Sequence, residues 1–427
     1  MKKLVFVINY FYPDLASTGQ LMTELCEELA DDFAITVIAA QPGYAGTEAE
    51  ETTPPASGYH GSIKVVRVPL PPVNKNSKVS RAKYVALYFT RALHALQKEK
   101  NVDLVYTISQ PPVLGGLLGT IGKVIKRARH VYNIQDFNPE QAEAAGYVKN
   151  QTVLRLAKAV DTVNCALADH VVVVGEDMRT TLRRRFGKRR VPMHSVINNW
   201  TNEKTIVPLD KTNPEVQKFL HAHGLENKFI VMYSGNLGLY YDLENLIRLT
   251  EKFQSYPDVR FVFIGEGAKK AEIQEFVTKH DLANVLFLPY QPLEFIKYSL
   301  NAADVHLVVN QKGIKGVSVP SKIYGVMAAG KPAIGVLEAG SEAEKLLRVS
   351  CSGLLAEPKD YAAVEEAITA MYHMDAADRQ AMGRAGRAYL DQHLTREVSI
   401  GKYRTLFEDL TREKHSAVVS GTKAKPS

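Results

Sequence analysis

The sequence predicts an α/β protein with two doubly wound parallel-sheet domains that face each other across a cleft. Short apolar runs alternate with stretches of helical spacing along most of the 427-residue chain, which is longer than one ordinary core requires. The runs are apolar almost throughout, as is typical of parallel strands that helices cover on both faces. The alternation stops once, over residues 198–217, which are polar and contain two prolines, and we interpret this segment as the connection between the domains.

The first half begins with an apolar run that stops at Asn9. Because this run is shorter than the roughly 7–15 residues of a signal-peptide core, we interpret it as a strand. The first helix places Leu21, Leu25 and Leu29 on one face, with Thr18 as its N-cap. The predicted strands are 3–8, 34–40, 102–109, 130–136 and 170–175, and the predicted helices are 18–30 and 152–168.

The second half repeats the pattern, which predicts an N-terminal domain over 1–200 and a C-terminal domain over 201–394. The polar segment 413–427 is expected to be disordered. Ligands of such sheets bind beyond the carboxyl ends of the strands, so we expect the site in the cleft. The predicted strands are 228–235, 259–267, 284–290, 304–309 and 331–336, and the predicted helices are 242–253, 268–280, 294–302, 360–373 and 377–393, followed by an amphipathic segment at 403–410.

Charge and cysteine content indicate which partners and which cellular compartment the sequence favours. There are 53 Lys and Arg residues against 46 Asp and Glu, a net charge of +7, and the excess is concentrated in the first half at 74–83, 124–130 and 183–190. These clusters are either solvated surface or a docking face for an anionic membrane. Aromatic residues are not interleaved with them, which disfavours nucleic acid as a partner. Three widely spaced cysteines favour a reducing, cytoplasmic compartment.

One stretch of the second half has the features of an anion site. After the apolar run 305–309 come Lys312, Gly313, Lys315 and Gly316, and Ser321 then opens a helix with Lys322 in its first turn. Unpaired N–H groups at a helix start attract phosphate, and a lysine at that end is otherwise unfavourable. The alternative is an ordinary strand-to-helix connection with surface lysines.

Two further loops are candidates for the cleft. The stretch "YSGNLG" over 233–238 offers Gly235 and Gly238 to an anion, and together with the first loop it favours a nucleoside diphosphate. In the first half, Ser17, Thr18, Gly19 and Gln20 follow the first strand and either face the cleft or simply cap a helix. No Asp-x-Asp pair and no histidine cluster suggests a metal, so we expect neither a metal nor another cofactor.

At "YSGNLG", "IGEG" and "PSKIYGVMAAGKP" the chain resembles the family 4 glycosyltransferases of the GT-B fold, and most closely the bacterial polysaccharide enzymes of the colanic-acid and fucosaminyl-transferring type. The resemblance covers roughly residues 1–410. It implies two Rossmann-like domains, with the acceptor held by the first and the nucleotide sugar by the second, and a terminal helix near 395–412 that crosses back to the first domain. It also implies transfer with retention of configuration, usually without metal.

The chain departs from that family's pattern at five positions, one of which is Gln135, where relatives have a histidine before the aspartate that corresponds to Asp136. Val317 and Gly325 stand where many relatives have two glutamates, and Asn236 and Tyr241 stand where many have an arginine and a lysine. Lys322 then becomes the expected cation on the diphosphate, with Lys312 or Lys315 assisting. Glu338 and Glu342 become candidates for the ribose.

These arguments give three sets of expected site residues. The catalytic candidates are Asp136, Glu140 and Lys322. The expected donor-binding residues are Gly235, Asn236, Gly265, Glu266, Tyr290, Ser321, Lys322 and Glu342. The expected acceptor-binding residues are Ser17, Thr18, Gly19, Gln20 and Gln135.

The resulting hypothesis is a retaining glycosyltransferase that uses a UDP-sugar, or alternatively a GDP-sugar, in cell-surface polysaccharide synthesis. Its acceptor would be lipid-linked or an oligosaccharide, and the enzyme would lie on the inner face of the cell membrane. Two alternatives stay open: a sugar-nucleotide 2-epimerase of the same architecture, and a catalytically inactive scaffold in an assembly complex.

Overall fold

The computed structural model contains two separate sheets. It describes residues 1–14, 17–41, 57–71, 77–146, 148 and 150–419. Helices cover both sheets, so the predicted fold class is confirmed. We keep the division into domains 1–200 and 201–394 as our proposal, since each sheet lies within one of these ranges.

The first sheet has eight strands and is parallel except for its short edge strand. Its strands are β1 (Lys2–Val7), β2 (Phe33–Ala40), β3 (Gly58–His60), β4 (Ile63–Val68), β5 (Leu104–Ile108), β6 (Arg129–Ile134), β7 (His170–Val173) and β8 (His194–Val196), in the order β3-β4-β2-β1-β5-β6-β7-β8. Its helices are α1 (Ser17–Leu29), α2 (Lys78–Lys98), α3 (Leu114–Lys126), α4 (Asn138–Ala144), α5 (Gln151–Leu167) and α6 (Glu176–Phe186). The sequence prediction missed β3, β4, β8, α2, α4 and α6.

The second sheet has six strands, all parallel. Its strands are β9 (Phe229–Ser234), β10 (Val259–Ile264), β11 (Val285–Leu288), β12 (Val305–Val309), β13 (Ala333–Val336) and β14 (Gly353–Ala356), in the order β11-β10-β9-β12-β13-β14. Its helices are α7 (Pro214–Ala222), α8 (Leu243–Leu246), α9 (Lys270–Lys279), α10 (Ile296–Ala302), α11 (Lys322–Ala328), α12 (Glu342–Val349), α13 (Tyr361–His373) and α14 (Ala376–His393), and a 3-10 helix over Ile247–Phe253 extends α8.

The last helix, α15 (Arg396–Val419), returns to the first sheet. Tyr403 and Phe407 on α15 are buried with Phe6 and Tyr106, and the ring centroids of Tyr106 and Phe407 lie 5.8 Å apart. The helix ends at Val419, within the segment 413–427 whose disorder stays a prediction. Residues 420–427 lie outside the described residues.

The strand order determines where a ligand can enter the second sheet. Neighbouring strands β9 and β12 lie on either side of the point where the order reverses, so the loops that follow them diverge at the carboxyl edge. The loop after β9 and the connection from β12 to α11 therefore border one crevice, and both contain stretches that the sequence analysis selected.

Candidate functional site

Lys322, the first residue of α11, lies between two tyrosine rings. Its Nζ donates a hydrogen bond to the Tyr233 hydroxyl at 2.6 Å, and it lies 3.8 Å from the centroid of the Tyr233 ring and 4.1 Å from that of Tyr241. Burial lowers the pKa of the Lys322 amine well below its ordinary value. No carboxylate of the described residues pairs with it, so a bound anion would supply the missing counter-charge.

Two glycines bring the loops after β9 and β10 together beside Lys322. Gly235 and Gly265 have φ angles of 143° and 140°, which favour glycine. A Cβ on Gly235 would lie 3.4 Å from Cε of Lys322, and one on Gly265 would lie 2.0 Å from the Gly235 carbonyl oxygen. The half-exposed Tyr290 ring lies 3.3 Å from that second Cβ position. Three further expected donor residues, Asn236, Glu266 and Ser321, are exposed along the same carboxyl edge.

Asp136 follows β6 and lies against the connection from β12 to α11. It makes an isolated antiparallel bridge with Ser318, and its Oδ1 accepts a hydrogen bond from Gln141 at 3.3 Å. Burial raises the pKa of the Asp136 carboxyl, while hydrogen bonds from Ser318 and Gln141 act in the opposite direction. Burial, followed by the charge of Asp136, raises the pKa of Tyr241. Tyr241 thus interacts electrostatically with Asp136, and its ring contacts Lys322.

The Gly/Lys loop after β12 binds carboxylates of the protein itself. The N–H groups of Gly313 and Lys315 donate to Oε2 of Glu338 at 2.8 and 3.0 Å, and the N–H of Gly316 donates to Oδ2 of Asp177 at 2.8 Å. These N–H groups already have partners within the protein, which contradicts the expectation that they are unpaired and hold the donor phosphate. Oε2 of Glu338, a candidate for the ribose, is thus engaged by this loop.

Glu342, an expected donor-binding residue, joins the two domains instead. It is 4% exposed, and its carboxylate accepts from the Glu176 N–H at 2.8 Å and from Nδ2 of Asn198 at 2.9 Å. The first of these bonds satisfies an N–H at the start of α6, where a negative charge is favoured. Because both carboxylate oxygens are used inside the protein, we withdraw Glu342 as the ribose ligand.

Glu140, expected to be catalytic, belongs to a buried ion-pair cluster. Arg185 donates to both Glu140 oxygens, at 2.9 and 2.5 Å, and its third nitrogen donates to Asp161 at 2.5 Å. The Arg185 guanidinium also lies 4.4 Å from the centroid of the Phe137 ring. Glu140 is therefore not available as a catalytic group, and Arg185, with a side chain only 6% exposed, is not part of the basic surface.

Gln135 is buried, and both ends of its amide are engaged. Its Nε2 donates to Asn133 at 3.0 Å, and its Oε1 accepts from Asn199 at 2.8 Å. The structure thus gives Gln135 a place in a buried polar network behind the site, rather than a free group for the acceptor.

The other expected acceptor residues open α1. Ser17 is exposed, Thr18 and Gln20 are partly exposed, and Gly19 is buried, with 3.2 Å from an added Cβ to Cβ of Tyr10. Their role toward an acceptor remains a proposal.

Sequence reasoning missed Tyr233, Ser318 and Asp177. Tyr241 was noticed only as a departure from the family's lysine, although an aromatic residue at a cation position is itself a signal. Asp177 gave no local signal, because it reaches Gly316 from 139 residues away.

Comparisons with known proteins match both halves of the chain to glycosyltransferase families. Residues 18–199 match the family described as "Glycosyl transferase 4-like domain", and residues 216–389 match the family described as "Glycosyl transferases group 1". The chain belongs to the family 4 GT-B glycosyltransferases. The two matched segments together contain every strand of both sheets of this glycosyltransferase except β1.

Curated relatives and solved structures resemble this glycosyltransferase over most of their length. The chain is 26% identical to a probable glycosyltransferase, WbjE, of Pseudomonas aeruginosa, covering 97% of this chain and 99% of the relative. It is also 26% identical to a putative colanic acid biosynthesis glycosyl transferase, WcaI, of Escherichia coli K12, covering 81% and 86%. Sucrose-phosphate synthase of Thermosynechococcus elongatus superimposes with a TM-score of 0.77 at 17% identity, covering 97% and 100%. Anabaena HepE in complex with UDP and glucose superimposes with a TM-score of 0.71 at 17% identity, covering 96% and 100%.

Proposed function

We propose that this glycosyltransferase moves a sugar from a nucleotide-sugar donor to a lipid-linked or oligosaccharide acceptor in bacterial cell-surface polysaccharide synthesis, with retention of configuration. A UDP-sugar is the first candidate donor and a GDP-sugar the second. Solved complexes of HepE with UDP and with UDP-glucose support the uracil nucleotide, and the names of the curated relatives support the polysaccharide context.

One observation carries the proposal: the amine of Lys322 is buried between two tyrosine rings without a carboxylate partner in the described part of the chain. A donor diphosphate placed there would restore the charged form of the amine. The ammonium would in turn stabilise the negative charge that grows on the diphosphate as the sugar leaves. Gly235 and Gly265 would let the backbone approach the donor, and the exposed Tyr290 ring would offer a stacking surface to the base.

Asp136 is the proposed acceptor-side residue. Asp136 acts electrostatically on Tyr241, whose ring contacts Lys322, and its carboxylate would orient the attacking hydroxyl or stabilise positive charge on the sugar. In a retaining transfer the leaving phosphate oxygen can take the acceptor's proton, so no second protein base is required. That step suits this site, in which Glu140 is held by Arg185.

The test has two arms. Calorimetric titration with UDP, GDP, ADP and dTDP is expected to give strong binding for one of the first two and weak binding for the others. Incubation of the matching sugar nucleotide with a membrane lipid extract should then yield a glycosylated lipid with the anomeric configuration of the donor.

Three results would overturn the proposal in different ways. Absence of nucleotide binding would favour the scaffold alternative. Conversion of the donor alone into its 2-epimer would favour the epimerase alternative. A product of inverted configuration would remove retention.

A further inference from the structure

Helix α5 turns several polar residues toward the protein interior and an apolar stripe toward the outside, which is the reverse of an ordinary surface helix. Its buried face carries Leu154, Asp161, Thr162, Asn164 and Cys165, three of which are polar. Its outer face carries Val153, Leu156, Val160, Val163 and Leu167, which we call the α5 seam. A surface helix normally turns its apolar stripe toward the core, so this pattern needs its own explanation.

The polar groups of the inner face are all satisfied, so the orientation of the helix is well determined. Asp161 accepts from the Tyr132 hydroxyl at 2.8 Å and from Arg185 at 2.5 Å. Asn164 donates to the Val113 carbonyl at 3.0 Å, and the Thr162 hydroxyl donates to the Lys158 carbonyl at 2.7 Å. Turning the helix to bury the seam would break every one of these contacts except the last.

The seam is exposed and continuous. Successive members are three or four residues apart, so they form one stripe along a helix about 25 Å long. Leu156 is 66% and Val163 54% exposed. The stripe continues onto α3, because Lys123 of α3 donates to the Leu167 carbonyl at 2.9 Å and the next residue, Val124, is 72% exposed. Apolar patches of this kind mark surfaces that meet a partner or a membrane.

Exposed cations lie on α5 itself, on α3 and on α6. Arg127 closes α3, Arg155 lies on α5, and Arg183 and Arg184 lie in the last turn of α6, which the Arg185–Asp161 pair holds against α5. None of these four arginines has a carboxylate partner within the described ranges. Helix α3 contains no acidic residue, and the one carboxylate of α5, Asp161, is buried.

We propose that the α5 seam and the arginines beside it form a docking surface for an anionic lipid bilayer. An apolar stripe flanked by basic residues suits a helix that lies in the plane of the bilayer interface. A second copy of the chain fits less well, because pairing two seams would bring both sets of arginines together, and the nearby carboxylate of Glu143 is already paired with Lys158. None of the helices in the described residues is long and apolar enough to cross a bilayer, so docking would be peripheral.

This inference rests on the proposed function for its purpose, which is access to a lipid-linked acceptor. Helix α4, which begins two residues after Asp136, is tied to α5 by the Lys158–Glu143 ion pair at 2.5 Å. A bilayer against the start of the seam would therefore lie beside the acceptor side of the cleft.

The experiment measures co-sedimentation of the full chain with vesicles of phosphatidylcholine alone and of phosphatidylcholine with phosphatidylglycerol. The parent should bind the anionic vesicles and be released by salt. The double variant Leu156→Ser/Val163→Ser should lower the partition coefficient by about tenfold or more, because these exposed side chains insert into the interface. The matched control Leu293→Ser/Val349→Ser removes a leucine and a valine that are also half-exposed, but in the second domain, and should bind as the parent does.

Other outcomes overturn the proposal. If the parent does not bind anionic vesicles at low salt, or if the seam variant binds them as the parent does, the seam is not a membrane-docking surface. A parent that sediments as a dimer while the seam variant is monomeric assigns the seam to a second copy. UDP titration of the same preparations separates this result from the proposed function, since the seam variant should keep the parental nucleotide affinity.

Discussion

Replacing Lys322 by methionine removes the amine and keeps an unbranched chain of similar length. In the free protein the amine is buried against Tyr233 and Tyr241, and its pKa is well below the ordinary value of 10.5. A bound diphosphate would raise that pKa, so binding should take up a proton in the parent and nucleotide affinity should fall as the pH rises. Loss of hydrogen bonds to a charged partner costs about 1.5–3 kcal/mol, which is about 10- to 150-fold in affinity.

The same substitution should have the opposite effect on stability. Because the folded-state pKa of Lys322 is depressed, the unfolded state binds more protons in the window between that pKa and 10.5, and the stability of the parent falls as the pH falls through this window. Lys322→Met lacks this penalty. Its melting temperature without nucleotide should exceed that of the parent at neutral pH by about 2–4 °C for each kcal/mol gained, and the difference should narrow toward pH 10.5.

Titration calorimetry with UDP in two buffers of different ionisation enthalpy measures both affinity and proton uptake. Lys345→Met, which removes an exposed lysine of α12, is the control and should match the parent in both quantities. If Lys322→Met binds UDP with parental affinity, or keeps the parental pH dependence of binding, then Lys322 is not the diphosphate ligand.

Three further substitutions distinguish residues that affect catalysis or nucleotide binding from residues that affect only stability. Asp136→Asn should lower turnover about 10²-fold or more with donor affinity near parental, and a folded variant with full turnover would remove Asp136 from the site. Glu140→Gln should lower the free energy of unfolding by about 1.5–3 kcal/mol in a denaturant titration, because Arg185 loses a charged partner, while kcat of the folded fraction should not change. Glu342→Gln should lower the melting temperature with UDP affinity unchanged, and a selective loss of UDP affinity would restore the ribose assignment.

The sheet architecture was predictable because it depends on local patterns. Buried parallel strands such as β1, β9 and β12 are mostly apolar, and the helices between them show helical spacing, so a window of about ten residues contains the signal. The missed strands are short or lie toward a sheet edge. β8 is three residues long and only half-buried, and β3 has two exposed residues, so neither has an apolar run. Helix α6 was missed because its mean composition is strongly polar, with acidic residues in its first turn and arginines in its last.

Within the site, the backbone features could be predicted from local sequence, whereas the partners of the side chains depend on the tertiary structure. The stretches around Gly235, Gly265 and Lys322 were recognisable because a glycine turn or a helix start is a property of a few consecutive residues. Whether a carboxylate such as Glu342 or Glu140 is free for a substrate depends on what lies opposite it after folding. Glu342 meets an N–H donor 166 residues away, and Glu140 meets Arg185 45 residues away. The sequence alone therefore indicates that the loop after β12 favours an anion. Only the folded chain decides that the carboxylates bound there are those of Glu338 and Asp177, because a charge is satisfied by proximity in space and not by proximity along the chain.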